Sequence, residues 1–500
     1  MPLLLKQQAR SSTFNTYLAT AFVIIAALLP LPASANNLPD IGNSADALIS
    51  PEDEKALGRE FMQSVRRSLK LVDDPISNEY IRNLGESLAS QIDTRGQTLN
   101  FFIVDDDTIN AFAGPAGHIG IHSGLIKEAE SEGELASVVA HEIAHVIQRH
   151  LVRSFKSSQN LSIAAMAAIM TAILLGSGNG QVGEAVLAST IAGATQQQLS
   201  FSRTNEQEAD RVGIDMLARA GFNPNSMADF FEILHNKSRF AGHNVPEFLL
   251  THPVTTTRIA DSRGRATALF PTSQSNQKTD SIQYQLIRAR LRVLSQSKPE
   301  LAVSIKNLTA NVNKGKTSDF PLQYELALSH SKLDNPIAAQ NILDNLILRD
   351  RLRVAYVIAL AQNDINAQKY SAALKTLAET LMLYPENLPL TWLYADVLLL
   401  NNQPKNAMQV LQQQIRSRPI TPEIHKTFAM AAQQAGFAAD AYESLANYHY
   451  EYGEINTAIK HLEEALQQKN IDEYRALRFK ARLKELKQSM INKQTTQKKP

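Results

Sequence analysis

A period of thirty-four residues runs through the second half of the chain and restricts its fold more than any other feature. Alanine recurs with this step at two positions of the repeat, and leucine recurs at a third. The three series are Ala327, Ala361, Ala395, Ala429; Ala339, Ala373, Ala407, Ala441; and Leu343, Leu377, Leu411, Leu445. Small residues at two fixed offsets let paired helices approach closely, and the leucine fills the space between neighbouring pairs. The second half is therefore predicted to be an α-helical solenoid.

These series resemble the tetratricopeptide repeat, which implies stacked helix pairs with a protein-binding surface. We expect the repeats over 282–490, followed by a disordered basic tail over 491–500. Residues 271–281 contain almost no apolar side chains and are predicted to form a linker. The preceding residues, 36–270, then form a domain of their own, because a chain of 500 residues exceeds what one core usually organises.

The N-terminus has the pattern of a secretory signal peptide. Lys6 and Arg10 precede an apolar run from Tyr17 to Leu31, and a small-x-small pattern ends at Ala35. We predict cleavage after Ala35; the alternative, an uncleaved anchor, is disfavoured because the apolar run is shorter than the ~20 residues of a spanning helix. The absence of cysteine excludes disulfides and cysteine-ligated metals. A net charge of +1 without a basic field argues against nucleic acid as a partner.

The segment His141-Glu142-Ile143-Ala144-His145 is the strongest functional signal in the chain. Ser131 and Glu134 form a capping box, and helix-forming sequence continues through Leu151. The two histidines therefore lie one turn apart on one helix face, where both can bind a single metal ion. Glu142 lies beside that ion and is predicted to be the general base that takes a proton from the attacking water.

A third metal ligand is available in the segment Glu206 to Asp210, which is also predicted to be helical. Glu208 lies about 200° around the helix from Glu206, so only one of these carboxylates can face His141. We favour Glu206 as the ligand and retain Glu208 as the alternative. Asp210 shares the face of Glu206 and is predicted to accept a hydrogen bond from a ligating histidine.

A histidine as third ligand, in the pattern HExxHxxGxxH, is not supported. Gln148 and Leu151 stand where the glycine and the histidine are required, and His150 falls one residue short. Two imidazoles and one carboxylate leave one open position on the ion, which is the arrangement of a catalytic zinc site. We therefore predict one Zn²⁺ per chain.

The two motifs, HEIAH at 141–145 and EQEAD at 206–210, resemble those of the zinc metallopeptidase family of CaaX-prenyl endopeptidases. That resemblance implies that Glu206 ligates zinc and that Asp210 supports the ligands. With the signal peptide and the repeats, the chain further resembles the family of bacterial periplasmic beta-barrel assembly-enhancing proteases. The fold implied is mainly α, with an α+β gluzincin-type metallopeptidase domain followed by the solenoid.

Two more segments match this resemblance. Within the strand-rich stretch Leu99 to Ile121, the segment Asn110 to Pro115 resembles a strand that borders the family's cleft. An exposed edge strand there would pair with an extended substrate backbone, whereas an ordinary core strand is the alternative. His252 and Arg258 resemble the family's HP…R pattern, and Arg258 is predicted to stabilise the oxyanion. The resemblance implies that His252 occupies the open zinc position in a latent state; transition-state binding and a simple turn are the alternatives.

Two apolar runs, 161–175 and 182–194, separate the two metal motifs. Each would form a helix of about 20 to 22 Å, too short for a hydrocarbon core of ~30 Å. The segment 161–194 is therefore either a lid or a segment that contacts the membrane surface, or else a buried helical hairpin.

Taken together, the sequence predicts a periplasmic zinc endopeptidase that hydrolyses misassembled or stalled outer-membrane proteins. Its repeats would recruit substrate or the assembly machinery of the outer membrane, and both of these partners rest on the resemblance. The alternative is a chaperone or scaffold for envelope assembly whose zinc site is latent. The presence of Glu142 argues against an inactive enzyme, because no structural requirement calls for a carboxylate at that position.

Overall fold

The computed structural model describes residues 49–154, 163–176, 203–240, 246–269, 279–313, 319–417, 421–469 and 471–497, and helices dominate them. The predicted signal peptide and its cleavage site lie outside these residues. The N-terminal elements are α1 (Pro51–Ser68), α2 (Pro75–Ala89), β1 (Asn100–Val104), β2 (Ala111–Ala113), β3 (His118–His122), α3 (Ser123–Glu128), α4 (Glu132–Ile147), α5 (His150–Ser154), α6 (Ile163–Gly176), α7 (Arg203–Arg219), α8 (Ser226–Phe240), α9 (Phe248–Thr251) and α10 (Thr256–Leu269).

A small sheet supports the first domain. Its strand order is β1-β3-β2, with β1 parallel and β2 antiparallel to β3. Ile103, Ile119 and Ile121 are fully buried and pack against α2 and α4 in the main core. The two runs that the sequence indicates as strands are therefore neighbours in the sheet, and the short strand between them, β2, forms its edge.

Helix α4 begins at the predicted capping box but ends earlier than predicted. The Ser131 side chain accepts a hydrogen bond from the Glu134 N–H at 3.2 Å. The helix ends at Ile147 and does not run through Leu151, because Arg149 adopts a φ of 54°, a left-handed conformation that interrupts a right-handed helix. The chain then starts the separate helix α5 at His150, so this residue leaves the helix that carries the two metal-motif histidines.

Helix α6, which belongs to the segment between the metal motifs, packs against α1. Ala167 and Met170 are buried in a cluster with Phe61 and Val65. This packing agrees with the buried alternative for the described part of the segment, whereas 177–194 lies outside the described residues. Among the helices of the described ranges, none combines the length and apolar character needed to cross a membrane.

The C-terminal elements are helix pairs, as the period predicts. They are α11 (Ile282–Ser295), α12 (Lys298–Asn313), α13 (Phe320–Lys332), α14 (Pro336–Arg349), α15 (Val354–Asn366), α16 (Tyr370–Leu383), α17 (Leu388–Leu400), α18 (Pro404–Ser417), α19 (Pro422–Gln434), α20 (Ala438–Glu451), α21 (Ile455–Leu466) and α22 (Glu473–Gln497). Every residue of the three repeat series is buried except Leu445, which is half-buried. The final helix continues to Gln497, so 491–497 is helical where a disordered tail was predicted.

The solenoid packs directly against the first domain. Arg290 of α11 donates to the carboxylate of Asp74, the N-cap of α2, at 2.7 Å, and both side chains are buried. Asn387, the N-cap of α17, donates to Glu79 at 3.0 Å. Residues 271–278 of the predicted linker lie outside the described residues, but Ser281, at its end, already caps α11. The two domains therefore share buried polar contacts at several points along the repeats.

Candidate metal centre

Four buried side chains from three parts of the first domain converge on one point. They are His141, His145, Glu206 and His252, and one donor atom of each lies within 4.8 Å of those of the others. Helix α4 supplies the first two, α7 supplies the glutamate, and the residue after α9 supplies the last. Three imidazoles and one carboxylate are donors that zinc accepts, so the residues present fit this ion.

The three predicted ligands present their donor atoms to one another. The Nε2 atoms of His141 and His145 are 3.0 Å apart, and the Glu206 carboxylate lies 3.5 and 3.4 Å from them, respectively. Burial alone lowers the pKa of His141, but hydrogen bonds to Asp210 and Glu206 outweigh it and raise that pKa to about 9. Burial lowers the pKa of His145 well below its usual value. The carboxylate and the two imidazoles therefore lie close enough together to hold one positive charge between them.

Glu142 lies beside the cluster. Its side chain is fully buried, and neither carboxylate oxygen has a hydrogen-bond partner within the described part of the chain. The nearest basic group is His252, whose Nε2 is 3.6 Å from Glu142 Oε1. Burial raises the pKa of the Glu142 carboxyl. A buried carboxylate without a partner costs free energy, so its presence next to the cluster indicates a chemical task.

Arg258 lies behind the cluster and binds the carboxylates of Asp210 and Glu206 on α7. Its Nε and Nη2 donate to both oxygens of Asp210 at 2.8 and 2.7 Å, and its Nη1 lies 3.0 Å from Glu206. Nη1 also donates to the backbone oxygen of Pro253 at 2.9 Å. Asp210 Oδ1 in turn lies 3.0 Å from His141 Nδ1. The guanidinium is thus engaged with internal acceptors, which does not support the oxyanion role predicted from the sequence.

His252 is brought into the cluster by the short helix α9. Its ring stacks on Phe248 at a centroid distance of 4.8 Å, and its Nδ1 is 3.2 Å from Glu206 and 3.4 Å from His141 Nε2. The Phe248 N–H donates to the backbone oxygen of Ile109 at 3.2 Å, which fastens α9 to the segment before β2. His252 therefore has a place in the site and is more than part of a turn.

Glu208, the alternative ligand, points away from the cluster. Its Oε2 lies 3.1 Å from His150 Nε2 and also 3.1 Å from Arg153 Nη2. The other ring nitrogen of His150, Nδ1, lies 2.8 Å from Nδ1 of His145. Sequence reasoning discarded His150 as a ligand and missed this contact. The local sequence does not predict the contact between His150 and His145, because the chain turns at Arg149, and arginine is not a residue type that favours a left-handed backbone.

The strand β2 lies at one edge of the sheet. Asn110 and Gly114 make its ladder bonds to β3, with His122 N–H donating to Asn110 at 3.0 Å and Gly114 N–H donating to His118 at 2.6 Å. In an antiparallel pair the residues between bonded positions direct their backbone groups away from the partner strand. Ala111 and Ala113 therefore direct their backbone groups away from β3; Ala111 is fully buried and Ala113 is half-buried, and β2 packs on α4, the helix that carries the metal motif.

Comparison with known proteins connects this geometry to a family. The family model of Peptidase family M48 matches residues 75–266, and that of a tetratricopeptide repeat matches 365–433. The beta-barrel assembly-enhancing protease of Yersinia pestis is 31% identical over 458 residues, which are 91% of this chain and 93% of that protein. The chain belongs to the beta-barrel assembly-enhancing protease family. The family member from Escherichia coli is also 31% identical, over 91% of this chain and 92% of its own.

A more distant relative shares the peptidase part. The mitochondrial metalloendopeptidase OMA1 of Arabidopsis thaliana is 25% identical over 221 residues, 44% of this chain and 42% of its own. As its family membership implies, the chain has an M48 peptidase domain followed by tetratricopeptide repeats. The predicted resemblance, the fold class and the assignment as a protease are therefore confirmed. The M48 family also implies a metal, and the cluster offers a site for it.

Proposed function

We propose that the chain is a periplasmic zinc endopeptidase that cleaves misassembled or stalled outer-membrane proteins. The observation that carries the proposal is the convergence of His141, His145 and Glu206 beside the buried carboxylate of Glu142, whose oxygens have no hydrogen-bond partner among the described residues. Three donors and a neighbouring base are what water-driven peptide hydrolysis requires. The names of the relatives, which refer to beta-barrel assembly, support the choice of substrate.

In this proposal His141, His145 and Glu206 hold one zinc ion. When bound, zinc supplies a Lewis acid that polarises the scissile carbonyl and lowers the pKa of the attacking water. Asp210 Oδ1, 3.0 Å from His141 Nδ1, keeps the proton of that ring on Nδ1, which leaves Nε2 to donate its lone pair to the metal. Arg258 holds Asp210 and Glu206 together, so we assign it a positioning role in place of the predicted oxyanion role.

Glu142 is the general base. Its unpaired carboxylate removes a proton from the attacking water and later delivers it to the amine nitrogen that leaves. Its buried environment favours the protonated form once the proton has been taken. The side chain sits on the same helix as two of the ligands, so its position relative to the scissile bond is fixed by that helix.

The outer edge of β2 binds the substrate. An extended peptide that pairs with this edge beside the half-buried Ala113 adds a strand to the sheet, and its backbone hydrogen bonds require no particular side chains. Such binding suits a protease for unfolded chains, because it selects extended backbone over sequence. Folded proteins would be poor substrates for the same reason.

His252 controls access in this proposal. Its Nδ1 lies within reach of the same point as the three ligands, so it is a fourth donor that substrate must displace. The same contact favours the alternative function, a scaffold whose zinc site is normally closed. The repeats would recruit outer-membrane proteins or their assembly machinery in either case, and the N-terminal signal sequence would direct the chain to the periplasm.

The substitution Glu142→Gln tests the proposal. The variant should bind one zinc per chain and unfold at the same temperature as the parent, but it should fail to cleave an unfolded outer-membrane protein. Cleavage at the parental rate by zinc-loaded Glu142→Gln would refute the mechanism. If the variant still supports outer-membrane assembly in cells that lack the parent gene, the scaffold function is favoured over the protease function.

A further inference from the structure

A buried histidine outside the ligand set touches one of the ligands. Nδ1 of His150 lies 2.8 Å from Nδ1 of His145, and the two rings are 79° apart with centroids separated by 4.7 Å. His150 is fully buried. Its other nitrogen, Nε2, lies 3.1 Å from Glu208 Oε2. The three side chains form a continuous hydrogen-bonded path from the carboxylate of α7 to a ligand on α4.

Only one assignment of protons to the ring nitrogens allows both hydrogen bonds of this path when His145 binds a metal ion. His145 directs Nε2 to the cluster, where it must offer a lone pair, so its proton resides on Nδ1. That Nδ1–H donates to Nδ1 of His150, which must then be the acceptor. The proton of His150 is therefore on Nε2, from which it donates to the Glu208 carboxylate.

We propose that His150 and Glu208 are positioning residues that fix the tautomer and the ring orientation of His145 for metal binding. The proposal rests on the proposed zinc site and deepens it. A ligating histidine whose second nitrogen donates to an oriented acceptor is a better and more rigid ligand. Neither residue touches the substrate or the metal in this role.

The break in α4 makes the contact possible. In an uninterrupted helix, His150 would lie five residues beyond His145 and about 140° around the axis, on another face. The left-handed Arg149 reverses the chain and returns His150 beneath the ring of His145. The Arg149 side chain is held by Glu54 at 2.7 Å, and Arg153, one turn into α5, donates to Glu208. The start of α5 is thus tied to α1, and its end is tied to the His145–His150–Glu208 path, which we call the relay.

The relay also accounts for the three carboxylates of the α7 motif. Glu206 faces the cluster, Asp210 faces Nδ1 of His141, and Glu208 faces His150 on the other side. Each of the two histidines of α4 is therefore connected to a carboxylate through its Nδ1. His141 contacts Asp210 directly, and His145 is connected to Glu208 through His150. The sequence treats Glu206 and Glu208 as competitors for one ligand position, whereas this arrangement gives each a separate task.

Zinc affinity tests the proposal without any measurement of turnover. In the Glu142→Gln background, which prevents cleavage, zinc is titrated against a fluorescent chelator. His150→Leu removes the acceptor and should weaken zinc binding about 10- to 100-fold. His150→Asn places an amide oxygen near the position of Nδ1 and should recover most of the affinity. His235→Leu, on α8 of the same domain, is the matched control and should bind zinc as the background does.

A double-substitution cycle tests the link to Glu208. Glu208→Gln alone should weaken zinc binding, but it should have no further effect once His150→Leu is present, because its effect passes through that ring. The zinc-loaded background protein should also show a slowly exchanging, downfield Nδ1–H signal from His145 that Glu208→Gln weakens and His150→Leu abolishes. If His150→Leu folds poorly, the weakening of this signal by Glu208→Gln alone tests the proposal, because Glu208 is partly exposed and its substitution is mild.

Two outcomes overturn the relay. One is a zinc affinity of His150→Leu equal to that of the background, and the other is full additivity of the His150 and Glu208 substitutions. Failure of the background protein itself to bind one zinc would instead refute the proposed zinc site. The two proposals can therefore fail separately.

Discussion

Glu132, the first residue of helix α4, is hydrogen-bonded to Ser281, the N-cap of the first repeat helix. Its carboxylate accepts hydrogen bonds from the Ser281 N–H at 2.7 Å and from the Ser281 hydroxyl at 2.9 Å. The carboxylate of Asp280 in turn accepts a hydrogen bond from the Glu132 N–H at 2.7 Å. Tyr80 of α2 donates to the same carboxylate at 2.8 Å. The starts of the two helices therefore cap each other across the domain boundary, and the solenoid fixes one end of the helix that carries the metal motif.

Glu132→Gln should weaken this junction. The amide keeps the size of the side chain but has one acceptor oxygen for three donors, so about 1–3 kcal/mol of unfolding free energy should be lost. Urea unfolding measures the loss. Glu128→Gln is the matched control, because Glu128 is exposed and its ion pair with Lys237 should contribute less than about 1 kcal/mol. Equal losses for the two variants would show that the junction adds no stability.

His252→Ala should increase proteolysis. Removing a fourth donor leaves the three ligands and the base in place, and a closed state favoured by about 1.4 kcal/mol would make the increase about tenfold. The initial rate of cleavage of an unfolded protein, at one zinc per chain, provides the measurement. His235→Ala serves as the control. If cleavage falls to background instead, His252 binds the transition state and does not gate the site.

Arg258→Lys separates a positioning role from an oxyanion role. Lysine cannot bind both oxygens of Asp210 as the guanidinium does, so zinc affinity should fall, by about 10- to 100-fold if Arg258 orients the ligands. Arg263→Lys is the control, because Arg263 is half exposed and binds Asp229 and Glu232. A donor to the oxyanion would show the opposite pattern, with unchanged affinity and a turnover number lower by about 10²- to 10³-fold.

Asp396→Asn should change the dependence of stability on pH. Asp396 lies on α17 and lines a cavity of about 490 Å³ between the domains, together with Trp392 and Asp73. Burial raises the pKa of Asp396 from 3.8 to about 7; a hydrogen bond with Thr427 opposes this rise, and the charge of Asp73 adds to it. Because the folded pKa lies above the unfolded one, its contribution is complete below pH 3.8 and is lost as the pH rises through 7.

The asparagine variant should therefore be more stable than the parent at pH 8, by roughly 2–4 kcal/mol, and the difference should shrink as the pH falls towards 4. Urea unfolding at a series of pH values from 4 to 8 provides the measurement. Asp344→Asn, at an exposed position of α14, is the control. A constant difference across the pH range would contradict the raised pKa of Asp396.

The sequence alone determined the repeats and the core of the metal site, because both depend on spacing along a helix. A step of thirty-four residues fixes which alanines and leucines face neighbouring helices. The spacing of His141 and His145 places two imidazoles on one face, and the rotation between Glu206 and Glu208 allows only one of them to face that site. The structure places Glu206 there.

The tertiary structure decided what depends on contacts between distant segments. The spacing rules of a helix do not apply beyond Arg149, because this residue adopts a left-handed backbone conformation that the residue types do not indicate. That conformation brings His150 beneath His145. The spacing rules also cannot show that Arg258 donates to Asp210. The contact between Glu132 and Ser281 joins residues of two domains, and no period within either helix encodes it. Such contacts arise only when elements far apart in the chain pack together, and packing selects their partners.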